Sequence, residues 1–120
     1  MLDDIASVTL STALSGLSAR QRVSADNIAN IETPNYRANQ VSFEASLRDA
    51  VAAGDPSQAT ITTSPTGTPP AIGDNNVGVN GNNVSLDTET LTDEKTGLQY
   101  QLLSGALSSK FSLIESVLKG

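Results

Sequence analysis

Apolar residues recur at helical spacing in a long block at each end of the chain, and that pattern dissolves between them. In the first block Leu10, Leu14, Leu17, Gln21, Ser24, Ile28 and Ile31 follow alternating steps of four and three, which keeps them on one stripe of an α-helix. The stripe is apolar at both ends and polar in its middle. The helix is expected from about Asp3 to Ile31, because Asp3 and Asp4 suit the positive end of its dipole and no proline intervenes before Pro34. At 1.5 Å per residue it would be roughly 40 Å long. In the second block Leu103, Leu107, Phe111, Ile114 and Leu118 are spaced for one helical face, with Leu91, Leu98 and Leu102 adding apolar surface. This helix is expected over 87–120. Asp87, Thr88 and Thr90 each suit its start, Thr90 and Asp93 have the outline of a capping box, and Lys119 suits its negative end. Gly97 and Gly105 each cost about 1 kcal/mol of helix propensity. They are either tolerated weakness or places where a neighbouring helix comes close.

Between the helices the pattern changes twice. In residues 38–53, Phe43, Leu47, Ala50 and Val51 fit helical spacing while Val41 with Phe43 alternates like a strand, so a short helix entered through an extended segment is expected, with Ser42 as its N-cap. Residues 54–86 hold Pro56, Pro65, Pro69 and Pro70 among many Gly, Asn and Thr, which argues against helix and central strand alike. This segment reads as an irregular linker with a hairpin-type turn signal at Asn80-Gly81. The expected fold is therefore mainly α. Long N- and C-terminal helices pair as a coiled-coil-like hairpin, with a short helix and an irregular Gly/Pro-rich middle, all within one assembly domain.

Composition narrows the function. Only 38% of the 120 residues are hydrophobic and 3% aromatic, so the chain is expected to complete a thin core against partners. The net charge is −6, without a basic stripe, which speaks against nucleic acid. There is no Cys and no His, which removes disulfides, thiolate sites, the commonest general base and the commonest transition-metal ligand. No phosphate loop or nucleophile elbow occurs. Glu89 and Asp93 lie one helical turn apart on an expected solvent face. No catalytic, cofactor or metal residue is assigned, and neither an enzyme nor a small-molecule substrate is expected. The acidic opening Met1-Leu2-Asp3-Asp4 is unlike a secretory signal, which leaves a cytoplasmic chain or one exported without a cleaved signal peptide.

The most informative stretch ends the first helix. Asn27 and Asn30 lie three apart and share a face, although asparagine is a poor helix former. Amides there suit a sharp chain exit. In Thr33-Pro34-Asn35-Tyr36, Pro34 presets φ at the first central position of a turn and Asn35 tolerates the left-handed region at the second. Tyr36 can then fold back on the helix. An ordinary helix terminus is the alternative on physical grounds alone.

This stretch resembles the signature of the bacterial flagellar axial proteins, the rod, hook and hook-associated group, whose pattern is roughly N-[IL]-A-N-x-x-T-x-G-[FY]-[KR]. Asn27, Ile28, Ala29, Asn30, Thr33, Tyr36 and Arg37 match it, next to Pro34, while Asn35 stands where glycine is usual. Both residue types accept positive φ. The segments 17–27, 80–87, 98–101 and 106–112 are similar to proximal-rod members, and the resemblance covers about 8–48 and 79–118. It implies a structural subunit of the proximal rod of the basal body, a drive shaft in the periplasm, exported by the flagellar type III apparatus. It also implies partners: copies of itself, other rod proteins, and inner-membrane ring and export-gate components at the rod base. Leu10, Leu14, Leu17, Ile28, Leu98, Leu103, Leu107, Phe111, Ile114 and Leu118 are expected to carry helix packing. The rival expectation is another secreted helical assembly or adhesin-type structural protein.

Overall fold

The structure is a computed structural model and describes residues 4–66 and 80–119. In chain order it holds α1 (Ile5–Ala29), β1 (Asn39–Ser42), α2 (Glu44–Ala52), a single 3-10 turn (Pro56–Gln58), β2 (Thr62–Pro65) and α3 (Leu86–Lys119). The long terminal helices and the short middle helix expected from the sequence are present. No described helix is long and apolar enough to cross a membrane.

α1 starts at Asp4, whose Oδ1 accepts the Ser7 N–H at 2.8 Å and so satisfies one of the free donors of the first turn. α3 runs antiparallel to it. Asp4 meets Lys110 at 2.8 Å at one end of the pair, and Ser24 meets Glu89 at 2.8 Å at the other. The start of α3 differs from expectation. Ser85 is its cap, accepting the Thr88 N–H at 3.3 Å, and Thr90 and Asp93 lie inside the helix. Asp87 and Glu89 then occupy the first turn, where the dipole favours acids.

The core is small and sits where β1 and α2 fold over α1. Leu17, Val41, Phe43 and Leu47 are buried together, with Ala13, Val23, Val51 and Leu103 packed around them. Phe43 lies against Gly16 so closely that any Cβ at that position would collide with its ring. Burial of this ring also explains why α2 begins where it does. Its N-cap is Phe43, with no side-chain cap bond, and the expected cap Ser42 belongs to β1. Arg20 closes the edge of the core. It forks onto Glu44 at 2.5 and 3.0 Å, donates to the Val41 carbonyl at 2.9 Å and lies 5.0 Å from the centroid of Phe43. The Arg20 hydrogen bonds hold the Glu44 carboxyl below the ordinary range.

Within the stretch expected to be irregular, β2 pairs antiparallel with β1, Val41 opposite Thr63 and Asn39 opposite Pro65. Proline is tolerated because β2 is an exposed edge strand with Pro65 at its end, and its threonines suit extended backbone. Gly81 has the positive φ, 80°, that a turn at Asn80-Gly81 requires. No strand follows it among the described residues; Asn82–Ser85 run instead against the end of α1. The remainder of the expected linker, 67–79, lies outside the described residues.

Two outcomes test this packing. Gly16→Val should destabilise the chain by about 1–3 kcal/mol, the usual cost of overpacking, read as an earlier loss of helical circular dichroism in urea. The Asp4 carboxyl is pulled from about 3.8 down to about 2, first by its hydrogen bond from Lys110 and then by the Ser7 N–H. A depressed carboxyl stabilises the folded form above its unfolded value, and that contribution is lost as pH falls through about 2. In Lys110→Gln the Asp4 titration followed by NMR should move up toward 3.8.

Candidate assembly site at the asparagine-rich helix exit

Asn27 is 1% exposed and uses every hydrogen-bonding position its amide has. Nδ2 donates to the Asn39 carbonyl at 2.8 Å and to Glu89 Oε1 at 2.9 Å. Oδ1 accepts the Asn39 N–H at 2.9 Å and the Tyr36 hydroxyl at 3.3 Å. One side chain of α1 therefore holds the first residue of β1, the first turn of α3 and the exit turn. One helical turn earlier, the Ser24 hydroxyl donates to Glu89 Oε2 at 2.8 Å. Glu89 is buried with two neutral donors on its carboxylate, which corrects the expected solvent face. The polar middle of the α1 stripe, Gln21 and Ser24, thus faces a polar stretch of α3, where Thr96 is also fully buried.

The exit turn is built from the matched motif. Asn30 Nδ2 donates to the Asp26 carbonyl at 2.8 Å and its Oδ1 accepts the Thr33 hydroxyl at 3.1 Å. The Tyr36 N–H donates to the Thr33 carbonyl at 3.3 Å, closing a turn in which Asn35 has φ 61°. A second asparagine cluster clamps this turn from outside. Asn82 Nδ2 donates to the carbonyls of Asn30 and Thr33 at 2.7 and 2.8 Å, a second hydrogen bond for each, since both already accept an N–H within the turn. Asn83 Oδ1 accepts the Ala38 N–H at 2.6 Å, and the Asn83 N–H donates to the Tyr36 carbonyl at 3.2 Å. Arg37 reaches the Thr66 carbonyl at 3.3 Å. Asn35 and Gly81 pack so closely that a side chain at 81 would strike the Asn35 amide.

Asn27, Asn30, Thr33, Tyr36 and Arg37 therefore come together at one corner, while Ala29 and Pro34 are exposed there and Ile28 is half-buried. Of the expected packing residues, Leu17 is buried in the core, and Leu10, Leu14, Leu103, Leu107 and Ile114 are half-buried. Leu98 is 68% exposed. Five residues separate it from Leu103, about 140° around the helix, so it stands away from the α1-facing row. Phe111 and Leu118 are exposed, C-terminal to the point where Lys110 meets Asp4. Sequence patterning missed Ser24, Asn82, Asn83 and Glu89. The run Asn80-Gly81-Asn82-Asn83 was a visible signal, legible as a turn but not as a clamp.

Asn27→Ala would leave the Asn39 peptide groups and Glu89 Oε1 without partners. It should cost about 1–3 kcal/mol, measured by urea unfolding. Asn27→Asp, which brings a second carboxylate to Glu89, should cost more than Asn27→Ala in the same measurement.

Residues 9–37, which contain most of α1 and the exit through Arg37, match the family model described as "Flagella basal body rod protein". The chain is 35% identical over 117 residues to the flagellar basal body rod protein FlgB of Bacillus subtilis (strain 168), covering 92% of this chain and 91% of that protein. It is 31% identical over 118 residues to FlgB of Borreliella burgdorferi, covering 86% and 87%. With FlgB of Escherichia coli (strain K12) it shares 30% identity over 121 residues, covering 89% and 88%. These relatives are structural proteins rather than enzymes. Matched along most of its length to several such relatives, with the family segment ending in the exit turn just described, the chain belongs to the FlgB family of flagellar basal body rod proteins.

Proposed function

We propose that the chain is a subunit of the proximal rod of the bacterial flagellar basal body, that it polymerises through α1 and α3, and that the resulting shaft transmits torque. The observation that carries this reading is the exposed apolar surface of α3. Leu91, Leu98, Leu102 and Leu113 recur along its outer side, and Val117 and Leu118 end it, all well exposed. Residues 91, 98, 102 and 113 fall within about 60° of one another around a helix. An exposed stripe of this kind marks a surface that another protein covers. The buried polar junction at Asn27 supports the mechanical part, since it fixes how α3 is seated on α1 before any neighbour arrives.

The partners in this reading are further copies of the chain, other rod proteins, and inner-membrane ring and export-gate components at the rod base. The place is the periplasmic rod, reached through the flagellar type III route without cleavage of a signal peptide. The names of the relatives favour this reading over an adhesin or another secreted assembly. Deleting residues 107–120 removes the end of α3 and should abolish both rod assembly and swimming, scored by electron microscopy of isolated basal bodies and by spreading in soft agar. A deletion strain that still swims would refute the proposal.

A further inference from the structure

An apolar groove of about 520 Å³ opens beside α2. Its floor is the core itself, Leu17, Phe43 and Leu47, and its walls are Val51, Leu102 and Leu103. Leu102 is 72% exposed at the rim. The core thus has packing atoms on one side only along this opening, and the missing contacts are dispersion energy that an occupant would supply. Arg48 stands exposed at the α2 edge and pairs with no carboxylate among the described residues.

The same chain carries a surface that fits. The α1-facing row of α3 continues beyond Lys110 as Phe111, Ile114 and Leu118, although the described part of α1 ends opposite Lys110. Glu115 lies on that face, since 111, 115 and 118 are spaced i, i+4, i+7. It pairs with Lys119 of its own helix at 2.9 Å. Both groups are well exposed, so that pair is worth little and exchanges easily. The lengths agree as well. Phe111 to Leu118 spans about 10 Å of helix, and the α1 wall of the groove, from Thr9 to Leu17, spans about 12 Å.

We propose that the groove is occupied by the α3 end of a second copy of this chain, with Phe111, Ile114 and Leu118 seated against Leu17, Phe43 and Leu47, and Glu115 meeting Arg48. A small-molecule site would bring several polar groups to converge on its ligand; this groove has charge only at its rim. Groove and helix end are different surfaces, so the contact is head-to-tail and each copy both gives and receives one. Such contacts propagate as an open array rather than closing in a pair. The inference rests on the rod-subunit reading above and names the contact that reading requires.

The chain contains no cysteine, which allows a direct test. Arg48→Cys and Leu118→Cys chains are produced together in cells of a flagellated strain whose own copy has been deleted, and isolated basal bodies are oxidised and run without reductant. A disulfide-linked dimer that needs both variants is expected. Basal bodies that contain both variants but give no mixed dimer, or that link only Leu118→Cys to itself, would overturn the docking while leaving the rod reading intact. Absence of the unaltered chain from basal bodies would overturn the rod reading itself. Charge reversal supplies a second measurement should the cysteine variants fail to assemble. Arg48→Glu should reduce swimming and Glu115→Arg should restore it in the doubly altered chain; no restoration counts against the docking.

Discussion

The amide of Asn27 is the contact on which the rest of the arrangement depends. It joins α1 to β1, to α3 and to the exit turn, and has no unused donor or acceptor. Apolar rows of leucine and alanine would allow one helix to slide along another by a turn at modest cost. A buried amide does not, because a shift leaves the Asn39 peptide and the Glu89 carboxylate without partners, and each orphaned group costs on the order of 1–3 kcal/mol. Buried polar groups of this kind are best attested as devices that fix register. Ser24 on the same carboxylate makes the position of Glu89 doubly determined.

The exit turn is the consequence one step outward. The carbonyls of Asn30 and Thr33 each accept one N–H within the turn and take a second hydrogen bond from a residue some fifty positions away, Asn82. Asn83 accepts the Ala38 N–H on its side chain and donates its own N–H to the Tyr36 carbonyl. Two segments far apart in the chain, 27–38 and 82–89, are thus tied together twice at this corner, once inside the helix pair by Asn27 with Glu89 and once outside it by Asn82 and Asn83. About a quarter of the described chain, from β1 to β2, leaves and returns around that tie.

Local regularity made the helices, the exit turn and the short α2 legible in the sequence, because spacing, proline and asparagine act over a few residues. What stayed hidden was set across long separations. Glu89 sits in a first helical turn, where acids are usually solvated, and only Ser24 and Asn27 make it a buried junction. Leu98 has the right residue type for packing, but one helix considered alone does not say which face meets its partner. β2 was hidden by Pro65 and the other prolines of its segment, since its pairing depends on β1 offering an edge. At the site, the motif residues were visible as a cluster, whereas Asn82 and Asn83 carried only the signal of a turn.

Burial among the described residues is shared between a small apolar cluster and a set of polar side chains, while several leucines of α3 stay outside. A fold held chiefly by its own greasy core has less reason to leave leucines outside. Here the buried cluster is small, four residues, and the seam between α1 and α3 is polar in its middle. Hydrogen bonds, which are directional, thus fix the corner where α1, β1 and α3 meet, and the exposed apolar area of α3 is available for the non-directional attraction that the proposed contacts between chains would use. In the subunit reading proposed above, the hydrogen bonds at Asn27 and Asn82 would set the shape of one copy, and the exposed leucines of α3 would supply the attraction between copies.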